Sequence, residues 1–174
     1  MNTESPSRSV LDASAARRAV QLALPMLTAS LDDVGVGESG CMHVVVMDPG
    51  SPYGTCDFEA AILYEHSLPA RERWDADYVY YARGKAKLAW RTGLDTSLLV
   101  SHAPHLLRHG DMRLGGGIVE HGIVVATSGA NPWFDDAFAR SVACLLRAVA
   151  HERLSAAATS DSTQSPQEAG NAGT

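Results

Sequence analysis

Arg83 and Lys85, with Lys87 beside them, fall in one helix-forming segment. A lysine at 85 is placed to pair with the carboxylate of a ligand. Equally, it can lay its stem on apolar surface and pair with an acid of the chain such as Asp111. Asp111 follows Gly110 and leads into a glycine triplet, Gly115, Gly116 and Gly117. As a general base it would abstract a proton with Lys85 or His109 as electrophilic partner; as a turn residue it would bond its own backbone. The triplet is either a tight strand entry or the floor of a pocket, and with the helix that starts after Asn131 its backbone donors suit an anion. His102, His105 and His109 stand at i, i+3 and i+7. On one continuous helix they would offer imidazoles to haem iron or a divalent metal, but Pro104 interrupts that turn, and surface or capping histidines are the other reading.

These groups need elements to hold them. From Ser9 to Leu31, Ala15, Ala19, Leu22, Ala23, Met26 and Leu27 recur at the helical period, with Pro25 as a kink or early end. Met42 to Met47 is a β-branched run stopped by Asp48-Pro49-Gly50, and a second strand is predicted from Asp57 to Glu65. Tyr78, Ala82, Ala86 and Ala89 mark a helix face that ends at Gly93, and its alanines let the helix lie close to a sheet. Asp95 reads as the cap of a short helix, and residues 103–107 as a further helical turn. Ile118 to Ala126 reads as a hairpin with its tip at Glu120 to Gly122, and Ile123 to Ala126 as a central strand covered on both faces. Asn131 then caps a last helix with Pro132 at its first position and Asp135 and Asp136 in its first turn; Phe134, Phe138, Val142, Leu145 and Val149 form the buried stripe. Paired strands separated by helices make an α+β domain with an antiparallel sheet and helices on its faces.

Composition narrows the function classes. A chain of 174 residues, 45% hydrophobic, has material for one core. Its net charge of -6, with scattered Lys and Arg, argues against nucleic acid as a partner. Cys41, Cys56 and Cys144 fit neither a disulfide framework nor a zinc site, and Cys144 is expected in the core. No signal-peptide core and no run of about 20 apolar residues is visible, so a soluble cytoplasmic protein without membrane contact is expected. Residues 1–8 are polar and residues 155–174 have almost no large apolar groups, so both are expected to be disordered tails around a single domain at 9–154. No dinucleotide fingerprint or phosphate loop is present.

Taken together, Ala82-Arg83-Gly84-Lys85-Ala86, the paired glycines before a hairpin, and Ser128-Gly129-Ala130 followed by acids and a helix resemble the GlcG/HbpS-like family, to which the C-terminal domain of PduO-type adenosyltransferases is related. The resemblance spans about Val10 to Val149. It implies a profilin-like α-β-α sandwich around an antiparallel sheet, assembly as homo-oligomers, a fixed place for Lys85 beside Ala86, and a label of haem binding or haem degradation. Leu63-Tyr64-Glu65-His66 and the third glycine, Gly117, depart from the family pattern. The expectation is a small-molecule binding protein for a small carboxylate or a tetrapyrrole. Its pocket would lie between the Tyr78 to Thr92 helix and the Asp111 to Gly117 loop, with Arg83, His105, His109 and the three glycines as binding groups and Lys85 and Asp111 as the catalytic pair if there is turnover. Against it stand a small cofactor-free isomerase, hydratase or lyase acting on an aromatic-catabolism or natural-product intermediate, and a purely structural subunit.

Overall fold

A computed structural model describes residues 9–37, 39–69, 72 and 74–163. The stretch at 1–8, Arg71, Arg73 and residues 164–174, on which some sequence expectations fall, lie outside the described residues. Four strands, β1 (Met42–Met47), β2 (Ile62–Leu68), β3 (Gly117–Glu120) and β4 (Ile123–Ser128), form one antiparallel sheet in the order β2-β1-β4-β3. Helices α1 (Ala13–Leu31) and α4 (Pro132–Thr163) cover one face; α2 (Tyr78–Thr92) covers the other, next to the short α3 (Thr96–His102). The chain is an α+β sandwich, as its pattern of paired strands implies.

Strand alternation divides the core. Met42, Val44, Val46, Ile123 and Val125 face α1 and α4, while Val45, Met47, Val124 and Ala126 face α2. Both central strands are buried on both sides, which explains the continuous apolar runs. Fully buried Ala82, Ala86 and Ala89 bring α2 close to the sheet. Gly93 ends it in the left-handed conformation at φ 68°, where glycine carries no Cβ penalty.

Several details differ from the sequence reading. The second strand begins at Ile62, because residues 57–61 form a turn in which the Asp57 carboxylate accepts from the Ala60 N–H at 3.1 Å. It then continues past Glu65 to Leu68 as an edge strand. Pro25 neither ends nor shortens α1, since it sits on the solvent side, where water can serve the carbonyl it leaves unpaired. Leu22 and Met26 are exposed, the buried stripe being Ala15, Ala16, Ala19, Val20, Ala23, Leu27 and Leu31. Cys144 lies on the exposed side of α4 rather than in the core. The helix runs through Ala156, Ala157 and Ala158 to Thr163, so the first part of the stretch expected as a tail continues α4, as alanine's helix preference allows. No described helix is long and apolar enough to cross a membrane.

Candidate functional site

The face of α2 that delivers its alanines to the sheet also delivers Lys85. Its side chain is 2% exposed, and its Nζ donates to Asp135 Oδ2 at 2.7 Å and to the Thr127 carbonyl at 3.0 Å. Asp135 arrives from the first turn of α4, itself 1% exposed, and its other oxygen accepts from the Ala130 N–H at 3.1 Å. Thr127 Oγ1 donates to the Asp135 carbonyl at 2.8 Å, which joins the end of β4 to the start of α4. Burial lowers the proton affinity of Lys85, against the attraction of Asp135 and Asp136. It raises the Asp135 carboxyl to about 6, against the pull of Lys85. Desolvation thus works against charge on both groups, and their mutual attraction works for it.

The glycine corner packs on this pair. At Gly116, φ is 107°, and a Cβ there would lie 2.9 Å from Lys85 Nζ and 2.7 Å from the Asp135 Cβ. A Cβ on Gly117 would meet the Lys85 carbonyl at 2.7 Å. The backbone donors of the corner are taken from within: Gly116 N–H donates to Asp136 Oδ1 at 2.6 Å and Gly117 N–H to Thr96 Oγ1 at 3.1 Å. The anion that the loop and helix start attract is therefore the chain's own Asp136. Asn131 does not cap with its side chain, which donates to the Gly35 carbonyl at 3.2 Å.

A cleft of about 400 Å³ opens beside the ion pair, with Lys85 and Asp135 in its floor and Tyr78, Tyr81, Ser128 and Asn131 in its walls. Asp75 sits at its edge and accepts from the Tyr78 hydroxyl at 2.7 Å. Burial, with the Asp75 charge beside it, pushes the Tyr78 phenol up to about 12, so it stays a hydrogen-bond donor near neutrality.

The residues grouped by sequence divide between the two sides of α2. Arg83, His109 and Asp111 line a second groove of about 420 Å³ with Phe58 and Met112. Arg83 is already engaged: Nε and Nη2 hold Glu65 at 2.7 and 2.6 Å, and Nη1 reaches Glu59 at 3.1 Å. The Asp111 carboxylate is not presented as a base next to Lys85. It accepts from Arg91 Nη2 and from the Arg108 N–H, both at 2.6 Å, and so closes a turn. The histidine ladder is broken as well, because α3 ends at His102 and residues 104–106 form a separate 3-10 turn, which leaves His105 and His109 exposed on different local frames. Among the described residues no three His, Cys, Asp or Glu side chains gather to hold a metal ion.

Two groups escaped the sequence reading. Asp135 was read only as a helix-dipole residue, although one acid of the Asp135-Asp136 pair suffices for that. His43, fully buried on β1, touches Glu65 Oε1 through Nε2 and Ser67 Oγ through Nδ1, each at 3.0 Å. A histidine inside an apolar run was the signal. Burial would raise the Glu65 carboxyl, but the hydrogen bonds and charges of Arg83 and His43 overcome it and hold it down to about 2. Above about 4.5 this carboxylate is ionised in both folded and unfolded chains, and its contribution to stability is complete. Between 4.5 and 2 only the unfolded chain takes up the proton, so the contribution falls away as acid is added. Glu65→Gln is therefore expected to flatten the acid limb of a stability–pH curve over that window, and an unchanged limb would refute the role given to Glu65.

No family model matches the sequence, and no curated protein is similar enough to match. Among solved structures, the chain is similar to the crystal structure of Klebsiella pneumoniae protein ORFY, described by the family model DUF336. The TM-score is 0.54 at 16% identity, over 85% of this chain and 97% of that one. The likeness is one of fold.

Proposed function

We propose that this protein is a relative of the GlcG/HbpS-like proteins that binds a small polar molecule in the cleft between α2 and the start of α4. The observation that carries the reading is the buried Lys85–Asp135 pair in the floor of an open, hydroxyl-lined cleft. Buried charge of this kind is costly, and perturbed ionisable pairs in clefts concentrate at functional sites. Similarity of fold to a DUF336 protein and the motifs around Lys85 and Ser128 support the same reading. A small carboxylate would meet the Lys85 ammonium and the Ser128 hydroxyl, with Tyr78 and Tyr81 as walls. The tetrapyrrole form has less support, because His109 lines the other groove and His105 lines neither. Assembly as a homo-oligomer would cover part of the exposed apolar side chains, Tyr80, Leu98 and Trp133 among them.

A panel of small organic acids is expected to shift the NMR signals of Tyr78, Tyr81, Lys85 and Ser128 in a saturable way. Shifts confined to the Arg83 and His109 groove, or none that saturate, would remove the reading. Haem separates its two forms: an unmoved Soret band, or one that moves equally in His105→Ala and His109→Ala, ends the tetrapyrrole version. A cofactor-free enzyme is the second reading. It is favoured by the opposite displacement of Lys85 and Asp135, which sets an acid and a base side by side.

A further inference from the structure

We propose that Lys85 captures a small aldehyde or ketone as an imine in the cleft floor, an inference that rests on the cleft being the ligand site. The chain uses lysine only at Lys85 and Lys87, and arginine everywhere else it carries a basic side chain. Guanidinium pairs well with buried carboxylates but stays protonated, whereas a desolvated lysine can shed its proton and act as a nucleophile. Among the described lysines and arginines only Lys85 is buried, and it stands in the floor of a cleft, where arginine would serve an ion pair alone.

The partner needed for the chemistry is in contact. Asp135 Oδ2, at 2.7 Å, is placed to take a proton from Nζ. The free amine then bonds to the carbonyl carbon, and the carbonyl oxygen receives that proton back from Asp135. A second proton, passed from nitrogen to oxygen by the same carboxylate, lets the oxygen leave as water. The product is a protonated imine lying against ionised Asp135. Amine and carbonyl give imine and water, with no oxidant or reductant, and hydrolysis reverses the step. The Ser128 hydroxyl in the wall is available to the carbonyl oxygen, while the Tyr78 hydroxyl is held by Asp75. Gly116 closes the remaining side, since a side chain there could not be placed without displacing the amine.

Lys87 provides an internal control: it lies two residues along the same helix and is exposed. The folded protein is treated with propionaldehyde or pyruvate, reduced with borohydride, and mapped by peptide mass. At pH 7 the adduct is expected mainly on Lys85, and the preference over Lys87 should vanish when labelling is done in denaturant. Adducts on Lys87 and the α-amine with none on Lys85 would overturn the proposal. Unreduced samples followed by NMR separate the two levels of the argument. Cleft shifts without a Lys85 adduct reject imine capture and leave the binding reading standing; neither shifts nor adduct rejects both. Because Lys85→Met risks the fold, Lys87→Arg is the companion variant, and it is expected to retain the full Lys85 adduct.

Discussion

Lys85→Met is expected to lower stability by about 3–5 kcal/mol, the usual loss when one partner of a buried ion pair is removed. The methionine fills nearly the same space, so the loss comes from Asp135, left 1% exposed without its cation. Its carboxyl, already raised to about 6, moves higher still. A folded-state value above the ordinary 3.8 means that the folded chain holds more protons than the unfolded one, so this group's effect on stability worsens as pH rises through the raised value. The deficit of Lys85→Met should therefore be larger at pH 8 than at pH 5. Asp135→Asn alone leaves the ammonium stranded and should cost a similar amount. The double variant should recover most of the loss, because an amide can keep the Ala130 N–H contact and no charge stays buried. Urea titrations of the four proteins close this cycle. Additive losses, or a deficit independent of pH, would mean that the pair is not coupled as described.

Gly129→Ala is expected to be at least as damaging, for a reason of backbone rather than charge. Gly129 has φ 148°, and a Cβ built there would run into the Cys41 carbonyl oxygen and fall 2.7 Å from the Met42 Cα. Both obstacles are main chain at the entry to β1, where His43 pairs with Ser128, so no rotamer change relieves them. A loss of more than about 4 kcal/mol, seen as failure to express folded protein or as a thermal midpoint at least roughly 10 °C lower, is the expected outcome. Gly93→Ala is the control: it shares a positive φ, 68°, but no atom lies within 4 Å, and it should cost only about 1–2 kcal/mol. Equal losses in the two variants would show that close approach is not the cause.

The fold was legible in the sequence wherever local chemistry and tertiary demand agree. The Ile123 to Ala126 run, the hairpin turn at His121-Gly122 with φ 49° and 82°, and the Gly93 cap are each dictated by neighbours in the chain. The second strand was misplaced because Asp57, Glu59 and Ala60 look the same in a turn as in a weak strand until a bond such as that between Asp57 and Ala60 closes. Leu22 and Met26 were placed on the buried face of α1 by their spacing, whereas the face that packs is turned toward Ala16, Val20 and Leu31 and leaves them in solvent. At the site, Lys85 and the glycine corner lie together. Their partner was not identifiable, since Asp111 and Asp135 are equally plausible acids in a linear reading, and only the crossing of α2 over the end of β4 decides between them. Arg83 was read as a ligand anchor because its two glutamate partners lie far earlier in the chain, on and before the edge strand.

The strand order β2-β1-β4-β3 also governs how the molecule comes into being. The middle of the sheet joins β1, made early, to β4, made late, and the hydrophobic layer beneath it closes only with α4. A nascent chain leaving the ribosome can form α1 and the β1–β2 ladder, but must carry β1 with one flank unpaired until nearly everything else has been synthesised. Closing so long a loop before any reward in contacts slows folding and exposes a sticky edge in the interim. Chaperone dependence in rapid overexpression is therefore an expected consequence of placing the last strand next to the first.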